Sequence, residues 1–236
     1  MKNIRDDRGF NQVWAPSEAT DVRAERRCAA MLADMRPDAP HETVLEIGCG
    51  TGKNAFLLAS STGKQVVGAD ICRPFIEAAK STYQRPNLRY EVLDFSKADD
   101  FAEQSFDYVV GNGILHHLYQ HLQESLTHIR RLLKPQGRII FWEPNLANPY
   151  CYLIFSYPYF REKARLEPDE MAFSKSFAEA QLEQAGYRNI RVACRDFLVP
   201  GIPTPLIAPS IAIGAVLEKT PVLNVLAQSL FITADK

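Results

Sequence analysis

The chain has 236 residues, 46% of them hydrophobic and 23% charged, a balance that suits one well-buried domain and argues against a disordered or fibrous protein. A formal net charge of −1 without any long Lys/Arg block lacks the electrostatic footprint of nucleic-acid binding. Cys28, Cys49, Cys72, Cys151 and Cys194 are odd in number and form no CxxC pair, which argues against a disulfide framework or zinc site and for a reducing cytoplasm.

The first ten residues, MKNIRDDRGF, carry charges where a secretory leader needs an apolar core. Ser17–Met35 then reads as a helix: Cys28, Met31, Leu32 and Met35 share a face, and Pro37 and Pro40 punctuate its end. From Thr43 to Glu143 short β-branched runs alternate with amphipathic stretches. Strands are expected at Thr43–Gly48, Gln65–Asp70, Leu88–Leu93, Phe106–Gly111 and Gly137–Glu143, with helices at Lys53–Ser61, Pro74–Thr82 and His121–Leu133. In the last helix Leu122, Leu126, Ile129 and Leu133 form one apolar stripe. This pattern is that of an α/β doubly wound core.

Beyond the core, the aromatic run YCYLIFSYPYF (150–160) can either pack a local helix or wall an acceptor site. A helix at Ser176–Ala185 stops at Gly186, a strand follows at Tyr187–Arg195, and a last strand lies near Ser229–Thr233. Between those strands, Phe197 to Ala227 is unusually apolar for a loop. Its most apolar part, Leu206–Leu217, contains Pro209 and is too short to span a bilayer. With no internal repeat, the expected organisation is a single domain: a helical addition at 1–40, a core at 41–145, and cap insertions at 146–175 and 197–227.

The loop LEIGCGTGKN (45–54) carries the chemistry. A triphosphate loop, GxxxxGK[ST], needs glycine where Ile47 stands and a hydroxyl where Asn54 stands. The dinucleotide fingerprint GxGxxG needs glycine or alanine at Lys53, which weakens that reading. What stands is E-I-G-x-G-x-G after a strand, with Asp70 closing the next strand as VVGAD. Here the chain resembles the class I S-adenosylmethionine-dependent methyltransferases. FDYVVGNGILHHL (106–118) and LLKPQGRIIFWEPN (132–145) continue the resemblance, with Gln136 departing from the usual glycine.

The resemblance implies a Rossmann-like, seven-stranded, doubly wound sheet with helices on both faces, and S-adenosyl-L-methionine as cofactor. It implies that Gly48, Gly50, Gly52 and Asn54 shape the cofactor loop and that Glu46 faces the methionine end. Asp70 would take the ribose diol with Ile71 beside it, Asp94 and Phe95 would hold the adenine, and Asn112 would border the cofactor. Alternating glycines let a backbone approach a ligand closely, which agrees with this assignment.

His116 and His117 follow the fourth core strand, and Glu143 ends the fifth, at the edge where open α/β sheets bind ligands. A histidine oriented by a carboxylate is a sensible general base, and sugar O-methyltransferases carry a similar pair. One of the two histidines is therefore a candidate base, with a structural or substrate-shaping role as the alternative. Metal binding by His116, His117 and Glu143 is a rival, disfavoured because adjacent histidines diverge on an extended chain. The expected reaction is methyl transfer to a small hydroxylated, apolar or lipid-linked acceptor, with oxygen as the expected atom. Alternatives are an N- or C-methyltransferase, a non-catalytic cofactor-binding scaffold, or a nicotinamide enzyme. Peripheral membrane docking by the apolar insertion is a minor expectation, since a basic face is missing.

Overall fold

The computed structural model describes residues 17–37, 41–94 and 101–236 fully, and the backbone of 2–6 and 9–13. The described chain opens with an antiparallel hairpin of β1 (Lys2–Asp6) and β2 (Gly9–Val13). Neither run has an alternating apolar pattern, so nothing in the sequence announces it. α1 (Glu18–Ala33) begins at a capping box, in which the Ser17 hydroxyl accepts from the Thr20 N–H and the Thr20 hydroxyl accepts from the Ser17 N–H.

The core runs β3 (Thr43–Ile47), α2 (Lys53–Ser61), β4 (Gln65–Asp70), α3 (Arg73–Thr82), β5 (Leu88–Val92) and β6 (Phe106–Asn112). A 3₁₀ turn at Leu115–His121 leads into α4 (Leu122–Leu132) and the long β7 (Leu133–Pro144). After it come α5 (Pro149–Ser156), α6 (Pro158–Ala164), α7 (Lys175–Gln184), β8 (Arg188–Arg195), α8 (Thr204–Lys219) and β9 (Ser229–Asp235). The seven-stranded sheet has the order β5-β4-β3-β6-β7-β9-β8, parallel from β5 to β7, with β9 antiparallel to both of its neighbours. The expected doubly wound architecture is therefore present.

Alternation along the central strands fixes which side chains meet which helices. Leu45, Ile47, Val109, Ile139 and Phe141 join the core under α4 and α7. Val44, Val110, Ile140 and Trp142 join the opposite core under α1 and α2. Glu46 and Asn112 fall in step with the second set, Glu143 with the first. The Phe197–Ala227 insertion contains an unforeseen element: α8 packs Ile207 and Ile211 on Ala19 and Val22 of α1. Pro209 lies inside α8, and a proline there ordinarily signals the end of a helix. Among the described residues no helix is long and apolar enough to cross a membrane, and all five cysteines are free thiols.

Candidate active site

At the carboxyl edge of the sheet the chain turns sharply after β3, with Gly48, Gly50 and Gly52 at φ +65°, +53° and +88°. L side chains are strained there, and space differs among the three. A Cβ on Gly48 would lie 2.6 Å from Ile114 and one on Gly52 2.7 Å from Tyr90, whereas one on Gly50 meets nothing within 4 Å among the described residues. Two of the glycines thus serve packing, and the middle one keeps open space clear. Asp70, at the tip of β4, stands beside that space: its Oδ2 accepts the Gly50 N–H and its Oδ1 the Cys72 N–H, both at 2.8 Å. The carboxylate ties the loop to the start of α3. Ile71 next to it is exposed, Asp94 is half-buried two residues beyond β5, and Phe95 lies outside the described residues.

Behind the loop, Glu46 is buried under α1 and α2. Asn54 donates to its Oε1 at 2.7 Å, so Asn54 buttresses the acid from inside α2. Glu46 Oε2 and Asn54 Oδ1 are buried with no hydrogen-bond partner among the described residues. Burial first, with help from Asp70's charge, pushes the Glu46 carboxyl up to about 8. A buried acid short of a donor fits a cationic ligand group. Together with the space over Gly50 and the Asp70 carboxylate beside it, these residues fit the amino-acid and ribose ends of S-adenosyl-L-methionine.

On the other side of β6, Glu143 gathers the chain after Gly113 around itself. Its Oε1 accepts the N–H groups of Ile114 (3.1 Å) and Leu115 (2.8 Å), and its Oε2 accepts the His116 N–H (3.2 Å). His116 Nδ1 lies 2.8 Å from the same Oε2. Ionised, a carboxylate only accepts, so Nδ1 carries the proton and Nε2 presents its lone pair. The expected His116 and Glu143 pairing is present, and it is a by-product of one acid capping a 3₁₀ turn.

His117 is placed differently. The two imidazoles do not diverge as an extended chain would require; the 3₁₀ turn brings their ring centres to 4.2 Å. His117 Nδ1 faces Glu170 Oε1 at 3.3 Å, half-exposed against a buried partner. The Glu170 contact raises the His117 value despite burial, and His117 in turn holds Glu170 low. His116, His117 and Glu170 offer atoms within 4.8 Å of one another, so Glu170, which the sequence reading did not single out, takes the place expected of Glu143 beside both histidines. Of the aromatic run, Phe155 is buried with its ring 6.1 Å from that of His116, while Tyr150, Tyr152, Tyr157 and Tyr159 are exposed. Sequence reasoning also passed over Arg23 and Arg27 on α1; their four-residue spacing, which puts them on one helical face, was the available signal.

Residues 45–141 match the family model described as a methyltransferase domain. Among curated relatives, a highly reducing polyketide synthase of Penicillium soppii is 30% identical over 172 residues, 66% of this chain and 7% of that protein. The chain thus spans only a small fraction of the length of the curated relatives it matches. Among solved structures, a SAM-dependent methyltransferase from Archaeoglobus fulgidus matches 92% of this chain and 94% of its own, at TM-score 0.64 and 19% identity. The CurJ carbon methyltransferase matches 93% of this chain and 55% of its own, at TM-score 0.62 and 20% identity.

Proposed function

We propose that this chain is a class I S-adenosylmethionine-dependent methyltransferase and that it methylates a small acceptor whose nucleophilic atom must give up a proton to His116. The observation that carries the reading is the 2.8 Å contact between His116 Nδ1 and a Glu143 carboxylate already held by three backbone N–H groups. When bound, the cofactor supplies an electrophilic methyl group on a sulfonium. The protein's own share is to orient the acceptor and take its proton.

Glu143 fixes the tautomer of His116, leaving Nε2 as the base and stabilising the imidazolium once it has formed. Such proton removal contributes roughly 10²–10⁴-fold when the nucleophile is poorly acidic. Phe155 borders this group and favours an acceptor with an apolar part. Oxygen is the acceptor atom expected from the sequence. Carbon is the second reading, favoured by relatives named as polyketide synthases and a structural neighbour named as a carbon methyltransferase. A carbon between two carbonyl groups is also far more acidic than an aliphatic alcohol, which suits an imidazole base.

The test combines binding and product analysis. Calorimetry should give micromolar S-adenosylhomocysteine affinity that is lost in Asp70→Ala, with NAD as the negative control. Acceptors bearing hydroxyls or β-dicarbonyl thioesters are then incubated with carbon-13-labelled cofactor, and NMR distinguishes methoxyl from C-methyl products. For a carbon acid, wild type in D₂O should exchange the acceptor's acidic hydrogen without cofactor, and His116→Gln should not. Cofactor binding without turnover of any acceptor would favour the scaffold reading.

A further inference from the structure

Histidines that diverge cannot share an ion, but the 3₁₀ turn holds the rings of His116 and His117 with their centres 4.2 Å apart. Glu170 completes the group: ligand atoms of His116, His117 and Glu170 all lie within 4.8 Å of one another. His117 Nδ1 and Glu170 Oε1 are 3.3 Å apart. That is the edge of a tetrahedron whose corners lie about 2.0–2.1 Å from its centre, the bond lengths of zinc to imidazole and carboxylate. The remaining edges close by small rotations of the rings and the carboxylate.

The backbone holds the set together. The Met171 N–H donates to the His116 carbonyl at 3.3 Å, and the Glu167 N–H donates to Glu170 Oε1 at 3.1 Å. Arg161 fastens the same segment through the carbonyl groups of Phe155, Glu167, Pro168 and Glu170, so its guanidinium is spent on backbone. Charge then points to a cation. Glu143 and Glu170 are both buried, and among the described residues their ion-pair partners are His116 and His117, with no lysine or arginine. Arg27 reaches Glu143 only through its field. Between neutral imidazoles the cluster holds two carboxylate charges, which one divalent cation balances.

Glu143 adds the partner that metal-bound histidines ordinarily have. With His116 Nδ1 held 2.8 Å from its Oε2, Nε2 is left as the ligand atom, the arrangement in which a carboxylate orients a metal-ligating ring. Two imidazole nitrogens and one carboxylate suit zinc and its neighbours, and are a poor set for magnesium or calcium, which take oxygen ligands.

We propose that His116, His117 and Glu170 form a site for a divalent transition-metal ion of the zinc class, with Glu143 as the orienting partner of His116. Three protein ligands leave a fourth position open, and the half-exposed His117 gives the ion a route from solvent. Bound there, the ion takes the Nε2 lone pair and competes with the acceptor's proton. That consequence rests on the base reading above, whereas the site itself does not.

The experiment is calorimetric titration of the chelator-treated full chain with Zn²⁺, and with Mg²⁺ as control, on wild type, Glu170→Gln and Glu143→Gln. Wild type should bind one Zn²⁺ with micromolar affinity and no Mg²⁺ at the same concentrations. Glu143→Gln should weaken Zn²⁺ about 10- to 100-fold, the range of an orienting partner, and Glu170→Gln, which removes a ligand charge while keeping its shape, by about 100-fold or more. No binding to wild type, or equal affinity in Glu170→Gln, overturns the proposal. Without any variant, Zn²⁺ should shift the imidazole NMR signals of His116 and His117 among the five histidines, and shifts confined to the others overturn it too. Turnover separates the two readings: zinc at this site should inhibit methyl transfer in proportion to occupancy, and full activity of the zinc-loaded protein would remove the base assignment while leaving the site.

Discussion

Replacing Glu143 with glutamine isolates the proposed proton transfer, because the substitution keeps size and shape and removes only acceptor capacity and charge. In the native site each carboxylate oxygen accepts two donors, Ile114 and Leu115 N–H on one and His116 N–H and Nδ1 on the other. A glutamine oxygen can keep the first pair, but its NH₂ group then faces the His116 N–H and forces Nδ1 to become an acceptor. Loss of two hydrogen bonds to a charged group, offset in part by no longer burying that charge, should cost about 2–4 kcal/mol. For a domain of this size that is a fall in Tm of roughly 4–16 °C. The larger effect is on the tautomer: with the proton moved to Nε2, the base has no lone pair toward the acceptor. At saturating acceptor and cofactor kcat should fall roughly 10²–10⁴-fold, whereas cofactor affinity should change little. Raising the pH should not restore the rate, because the proton is misplaced and not merely in excess. The assay is kcat by S-adenosylhomocysteine release over a pH series, with calorimetry and thermal unfolding on the same sample. A folded, cofactor-binding Glu143→Gln protein that keeps kcat within about threefold of wild type refutes the base assignment.

Further outcomes follow from the geometry. Glu46, raised to about 8, binds a proton in the folded free protein that it lacks when unfolded, so its burial costs more stability as pH climbs from about 4.3 to 8. Glu46→Gln should therefore gain on wild type in urea unfolding across that interval and level off above it, and a pH-independent difference would contradict the buried-acid assignment. A cationic ligand group beside Glu46 also expels its proton, so S-adenosylhomocysteine affinity should rise with pH up to about 8 and its binding enthalpy should differ between phosphate and Tris buffers. His117 is raised and Glu170 lowered, so their pairing is complete between the ordinary carboxylate and imidazole values, about 4.3 and 6.5, and fades as pH rises through the raised His117 value. Since His117 is 39% exposed, His117→Ala should lose at most about 1 kcal/mol near pH 5.5 and less at pH 8.5, and an equal loss at both would remove the ion pair from the account. Finally, Gly52→Ala combines left-handed strain with a Cβ 2.7 Å from Tyr90 and Ala79 and should cost roughly 2–5 kcal/mol, read as a lowered urea midpoint. Gly50→Ala carries only the strain, about 1–2 kcal/mol, yet should weaken cofactor binding at least tenfold; unchanged affinity would mean that the open space over Gly50 is not used.

The core was legible because local signals and tertiary packing agree there. The bounds expected for the Lys53–Ser61 helix and the Gln65–Asp70 strand coincide with those observed, and the loop glycines fall on positive φ. Outside it the signals conflict. Pro209 argues against a helix that α8 nevertheless forms, because Ile207 and Ile211 gain a face of α1 to pack on. The N-terminal hairpin has no alternation to read. Residue adjacency also misled at His116 and His117, where an extended chain would separate rings that a 3₁₀ turn, held by Glu143, brings together. The Glu143 contact was foreseeable from the ends of neighbouring strands; the Glu170 contact was not, since it depends on how the segment after β7 folds back, with the Met171 N–H donating to the His116 carbonyl.

That division also explains why cofactor class can be read from the sequence and acceptor identity cannot. The proposed cofactor corner consists of strand ends and a turn, where strand alternation, glycine conformation and one acid per strand tip determine position. The proposed acceptor side is built by the additions, with Phe155 from α5 and Glu170 from the segment before α7, and each reaches the histidines only through packing. Arg27 spans the two parts: it sits on an added helix but points at Asn112 on a core strand.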